Sequence, residues 1–382
     1  MDFSLTSEQS AMRAAVHRYC ADQCGFEARR DRTASRDGDA VAAQSRLHWQ
    51  AFANMGWLGA ALPPDVGGSG GSVLESAILF EELGRAIVRE PLLPCIALAA
   101  QVIDKGGTAE QREKLLQPLV RGELLVALMH AEARAANGGR DSITAERCDA
   151  TATYTLTGHK SVVPGGADVS LLLVSVPWPE TPDLDGANGE ARRNIFIVDA
   201  QADGVIRRDF PTLDGMRASE IVLRNVRVDE SSLLGEWGQA GEALRYATEH
   251  AMLASCAEMV GAMDGLLWLT RDYLRQRRQY GVALSSLQAL QHQLADLFAE
   301  LELSRSMLYR GLSAFVGEEK ATRSAAVAAA KTYIGRSGRR LGEAAIQLHG
   351  GMGMADEYKA GHYFKRLLTL AVLLGGLEPH QQ

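Results

Sequence analysis

The sequence predicts a mainly α-helical chain interrupted by a β-rich middle: a helical domain over 1–125, a β-domain over 126–236 and a C-terminal helical bundle over 237–382. Three observations carry this division. Helical apolar periodicity runs up to about Glu123, with the breakers confined to short connectors. Short alternating runs separated by Gly, Pro, Asp and Asn clusters fill the middle. Long stripes of period 3.6 return from about Gly238.

In chain order, MDFSLTSEQSAMRAAVHRYC opens with helical spacing, and LPPDVGGSGGS, Leu62 to Ser72, is a connector between helices. YTLTGHKSVV, LLLVSV, NIFIVDA and EIVLRNVRV read as strands, and the Pro-, Asp- and Gly-rich stretch 177–189 reads as a mobile hairpin tip. Leu253, Cys256, Val260, Met263, Leu267 and Leu274 form one apolar stripe. A second stripe comprises Leu287, Leu290, Leu294, Leu297, Leu301, Leu308 and Leu312. A third helix is expected from Lys320 to Leu348 and a fourth from Glu357 to Leu374, with glycines at 350, 351 and 353 breaking the chain between them.

A length of 382 residues, 46% hydrophobic and 23% charged, suits two or three packed units and argues against a disordered or fibrous chain. The net charge of −7 gives no general attraction for nucleic acid or anionic lipid, so any anion site must be built locally. Cys20, Cys24, Cys95, Cys148 and Cys256 are odd in number and lack a CxxC pair, which indicates neither a zinc site nor a disulfide framework. No basic segment followed by an apolar one stands at the N-terminus, and the leucine-rich run from Leu92 to Val102 is short and contains Pro94. The expectation is a cytoplasmic protein without metal.

Two motifs carry chemistry. RQRRQYG, Arg275 to Gly281, ends the first long bundle helix and sets arginines beside an aromatic residue and a terminating glycine. Such arginines either complement the helix dipole in water or clamp a pyrophosphate, because guanidinium groups bind phosphate oxygens bidentately. QLHGGMGM, Gln347 to Met354, lets a backbone approach a ligand closely, or simply breaks a helix. No strand precedes it, which disfavours a Rossmann phosphate loop.

GWLGAALPPDVGG, TLDGMRASEIVLRNVRV, RQRRQYGVALSSLQ and IQLHGGMGMADEY follow one another in an order that resembles the acyl-CoA dehydrogenase family over essentially the whole length. Within that family, HGGMGM followed by EYKAGHYFKRL is similar to the small subunit of pimeloyl-CoA dehydrogenase and to sterol-degradation subunits. The resemblance implies an N-terminal helical domain, a central β-barrel domain and a C-terminal four-helix bundle. It also implies an FAD held partly by a neighbouring subunit, and α,β-dehydrogenation of an acyl-CoA thioester by a homo-oligomer or a heteromer with a second dehydrogenase-like subunit. Arg277, Gln279, Tyr280 and Gln288 match positions that reach FAD, and Gln347, Gly350 and Gly351 match the loop that receives its pyrophosphate.

Departures from the family pattern weigh equally. The usual TEPxxGSD-type segment is AEARAANGGRD here, Ala131 to Asp141, retaining mainly Glu132, and the flavin's usual tryptophan and threonine correspond to Val162 and Pro164. The family's glutamate base corresponds to Leu374 at its common position and to about Ala251 at its alternative one, and neither accepts a proton. Glu249, read as a solvated helix residue, and Glu258, read as a buried paired carboxylate, are the nearby candidates. His349 and His362 carry structural or surface roles. Two alternatives stay open: a catalytically silent partner of an active homologue, and a flavin monooxygenase-like relative that needs no such base.

Overall fold

The computed structural model describes residues 4–27, 30, 38–130, 143–148, 152–177 and 193–375. The expected hairpin tip beyond Pro177 and the 131–141 segment with Glu132 therefore lie outside the described residues. Packing groups the chain into two compact units, one of 1–42, 72–89 and 252–382, the other of 43–71 and 90–251. These units cut across the three segments read from periodicity, because compactness follows contact and periodicity follows local backbone.

In the first unit, helix α1 (Ser7–Gln23) starts on a capping box in which Thr6 accepts from the Gln9 N–H and the Gln9 side chain accepts from the Thr6 N–H. Helix α2 (Gly38–Asn54) leads into the second unit. Helix α3 (Val73–Ala86) begins on a matching box, Ser72 with Glu75. After the helices of the second unit, α4 (Ala100–Gly106) and α5 (Ala109–Val120), come the four of the bundle: α6 (Ala240–Gln276), α7 (Gln288–Gly317), α8 (Lys320–His349) and α9 (Lys359–Val372).

The bundle helices lie close to where the stripes put them, with one difference. In α6 the stripe residues are buried, but so are Ala254, Ala257, Met259, Ala262 and Leu266 between them, so the helix is covered on nearly every side. By length and composition alone this helix could cross a membrane. The share of its most apolar window buried within the fold, 78%, identifies a core helix instead. Close approach makes this possible: a Cβ on Gly261 would strike the Glu81 carbonyl, and one on Gly84 the Glu258 carbonyl, so α3 and α6 touch backbone to backbone. Leu287, the first member of the second stripe, is 40% exposed because it precedes α7 as its N-cap.

The second unit holds all the described strands of the middle segment. β1 (Val126–His130), β4 (Leu171–Pro177) and β5 (Arg193–Asp199) form one sheet, with β1 parallel to β4. β2 (Ile143–Cys148), β3 (Thr153–Pro164), β7 (Arg217–Asp229) and β6 (Val205–Pro211) form the other, antiparallel throughout. Inward residues of both sheets, among them Met129, Leu156, Val174, Phe196 and Ile221, close one barrel-like core. Helix α5 is tied to the segment after β7 by Gln111, whose amide donates to the Leu233 carbonyl at 2.6 Å and whose oxygen accepts from the Gly235 N–H at 2.9 Å.

Candidate functional site

The RQRRQYG motif forms a short hairpin. Helix α6 stops where the Arg277 N–H donates to the Tyr273 carbonyl at 2.8 Å. Arg278 and Gln279 then pair with Val282 and Ala283, and the Arg277 carbonyl accepts from the Leu284 N–H at 2.9 Å. Tyr280 and Gly281 make the turn with φ of 54° and 83°. A turn with positive φ at both central residues matches the twist of a tight hairpin, and glycine takes the second position without steric cost. Arg275, Arg277, Arg278 and Gln279 are exposed, and Tyr280 is 95% exposed.

The QLHGGMGM motif ends helix α8 in the same unit. Gly350 has φ 59°, and the turn Gly350–Met354 follows. A Cβ on Gly350 or Gly351 would meet no atom within 4 Å, whereas one on Gly353 would press on the Ile346 carbonyl at 2.8 Å. Two of these glycines thus border open space and the third is needed for packing. Gln347 is exposed, as is Gln288 at the start of α7. Every residue expected at the cofactor is therefore accessible in the single chain. Exposed guanidinium groups and an uncovered glycine backbone are the donors that a pyrophosphate needs, so these residues fit FAD.

Behind the glycine turn His349 is 2% exposed. Its Nδ1 lies 2.8 Å from the Ala345 carbonyl and so carries the proton, and Nε2 has no hydrogen-bond partner among the described residues. Burial lowers its pKa. Its ring is 4.6 Å from that of Tyr273 and 5.2 Å from that of Tyr358. His362 is buried as well, with Nε2 donating to the Asp356 carbonyl at 2.9 Å and its ring edge on Phe26.

The carboxylates are arranged differently. Glu258 is 3% exposed and its Oε1 accepts from Arg366 Nε at 2.7 Å, with Arg366 itself 5% exposed. Glu249, expected to be solvated, is instead 6% exposed and pairs with Arg245 at 3.1 Å, one turn earlier on α6, because that face of the helix is covered. Ala251 is fully buried. Leu374 follows the end of α9 with φ 63°, a left-handed conformation that a branched apolar residue rarely adopts. Of the residues expected at the flavin wall, Val162 is 46% exposed beside a register shift in β3, and Pro164 ends the strand opposite Ala218.

Sequence reasoning missed two buried cations, Arg366 and Lys331. Lys331 is 1% exposed and donates to the Leu370 carbonyl at 2.5 Å and to Ser255 Oγ at 3.2 Å. Burial brings its pKa down to about 8. The signal was present: each is a cation within a largely apolar stretch of a predicted helix, in AAAKTYI and FKRLLTL.

The family model described as acyl-CoA dehydrogenase, N-terminal domain, matches residues 6–123, and the one described as acyl-CoA dehydrogenase, C-terminal domain, matches residues 241–380. Among curated relatives, a probable acyl-CoA dehydrogenase, YngJ, of Bacillus subtilis is 27% identical over 94% of this chain and 92% of its own. Among solved structures, a variant of the Tcur3481-Tcur3483 steroid ACAD is 29% identical at a TM-score of 0.83, covering 98% of this chain and 96% of its own. The ChsE4-ChsE5 complex from Mycobacterium tuberculosis matches at TM-score 0.85 and 22% identity over 100% of this chain and 97% of its own, a likeness of fold.

Proposed function

The chain belongs to the acyl-CoA dehydrogenase family, and we propose that it works as one subunit of an FAD-dependent acyl-CoA dehydrogenase whose α-proton base is not a residue at position 251 or 374. The observation that carries this reading is the pairing of an accessible arginine hairpin with an accessible glycine turn in one compact unit, while the candidate carboxylates are held in ion pairs.

FAD, when bound, supplies the electron acceptor for the hydrogen leaving the acyl β-carbon. Arg277 and its neighbours in the hairpin neutralise the phosphates by charge-assisted hydrogen bonds, and Tyr280 offers a ring face. Gly350 and Gly351 donate backbone N–H groups without a Cβ in the way, and Gln347 and Gln288 add amide donors. Arg366 pairs with Glu258 and holds it in place, and a carboxylate so engaged does not swing to a substrate. Proton removal is left to a homologous subunit, which makes a heteromer the partner arrangement this reading favours. The steroid enzyme at 29% identity supports a bulky, polycyclic acyl-CoA as substrate. The reading keeps the segments 1–125, 126–236 and 237–382 as functional divisions and a cytoplasmic location.

A second reading is favoured by Leu374: a subunit that holds the assembly together without turnover of its own, since the residue at the family's base position has an apolar side chain on a left-handed backbone. Anaerobic titration with a panel of acyl-CoAs, following flavin absorbance of the chain alone and co-expressed with a homologous subunit, separates the two. Bleaching only with the partner, abolished when the partner's base is replaced, supports the first reading. A colourless chain whose partner is fully active without it sinks both.

A further inference from the structure

His349 stands at a junction of three segments. It is the last residue of α8, its ring is 4.6 Å from that of Tyr273 in the last turn of α6, and 5.2 Å from that of Tyr358, the N-cap of α9. Tyr273 and Tyr358 are themselves 6.1 Å apart, so the three rings form one cluster. On one side, the Tyr273 carbonyl accepts the Arg277 N–H that starts the hairpin. On the other, the residue after His349 is Gly350, where the exposed glycine turn begins. The bond from Nδ1 to the Ala345 carbonyl fixes both tautomer and ring plane. No other described ring contact joins the end of α6 to the end of α8.

We propose that His349 is a positioning residue for the cofactor, its ring wedged between Tyr273 and Tyr358 so as to set the spacing between the arginine hairpin and the glycine turn. This rests on the reading that hairpin and turn hold the FAD phosphates. Ring pairs at such separations attract one another beyond their burial and so hold two short segments in register. The spacing matters because a bidentate phosphate contact tolerates little displacement.

The arrangement also makes cofactor retention sensitive to acid. The ring is buried and its Nε2 faces no acceptor among the described residues, so a proton there is not solvated. Around it stand the Ala345 carbonyl on its own helix, Tyr273 on α6, and Tyr358 with Asp272 acting on it from α6. Because burial lowers the folded-state pKa of His349, the packed cluster is at full strength above the ordinary histidine range and loses strength as pH falls below that range toward the lowered folded value.

The test uses the full chain as purified in its assembly and follows FAD release by flavin fluorescence at about pH 5.5 and about pH 8, on either side of the ordinary histidine pKa. The wild-type protein should release FAD faster at the lower pH. His349→Phe should retain FAD and lose that pH dependence, since a ring remains and the titrating nitrogen is gone. His349→Ala should release FAD about tenfold or more faster at both pH values, and Tyr358→Ala should act in the same direction if the first variant does not fold. Equal retention by the alanine and wild-type proteins overturns the inference, as does a phenylalanine variant as leaky as the alanine one. A wild-type protein that neither contains nor takes up FAD overturns the cofactor reading itself and the inference with it.

Discussion

Two regions of the helical unit use arginine in opposite ways. Around the hairpin, Arg275 at the end of α6 and Arg277 and Arg278 leading into the two-residue turn are exposed. Near the middle of the bundle, Arg366 is buried against Glu258, with Lys331 a helix away contacting Ser255 and the Leu370 carbonyl. The same guanidinium serves recognition in the first place and internal neutralisation in the second. The difference teaches that a charge contributes to ligand binding only where its own chain has not already satisfied it. On the proposed reading, the cofactor site and the proton-transfer chemistry would separate for this reason: the arginines proposed for FAD are exposed, and the carboxylates weighed as base, Glu249 and Glu258, are engaged in ion pairs.

The sharpest way to break that contrast is to add an unengaged carboxylate. Leu374→Glu, in the chain bound to FAD, should raise acyl-CoA dehydrogenation by about 10²- to 10⁴-fold, the usual contribution of a positioned base. Single-turnover bleaching of the flavin measures it. No gain would mean that position 374 is not within reach of the acyl chain.

Disengaging the buried pair should instead cost stability. Glu258→Gln leaves Arg366 without its counter-charge in the core and should lower unfolding free energy by about 3–5 kcal/mol, read from a denaturant midpoint. A loss below about 1 kcal/mol would put this pair in the class of solvent-screened surface ion pairs and remove the contrast with the hairpin.

Arg277→Ala probes the other region. It should weaken FAD retention by about tenfold or more while leaving the melting of the flavin-free chain unchanged, because the side chain is exposed and its loss uncovers nothing. Full occupancy at low protein concentration would show that the hairpin is only a solvated helix end.

The smallest effect is expected where the backbone alone is strained. Leu374→Gly should stabilise the chain by about 1 kcal/mol, since glycine adopts φ 63° without the Cβ penalty that leucine carries. A destabilisation would mean that burial of the leucine side chain outweighs its backbone strain.

Several of these features were legible in the residues themselves. Periodicity located the bundle helices to within a few residues, since Lys320–His349 and Lys359–Val372 stand where spacing and glycines put them. Alternation located the strands between Val126 and Asp229. The terminating glycine of RQRRQYG marked the end of the helix but not the hairpin that follows it, and the missing acid at 251 and 374 could be read directly. These are local properties: helix and strand signals repeat over a few residues, and a side chain that cannot accept a proton cannot do so in any fold. Only the tertiary structure decided that Glu249 is covered, that α6 is buried on nearly all sides, that Arg366 pairs with Glu258 and that His349 packs on Tyr273, far from it in sequence and just before the arginine motif. Burial and ion pairing depend on which distant segments arrive at a given face, and that is set by the packing of whole helices and not by the residues on either side.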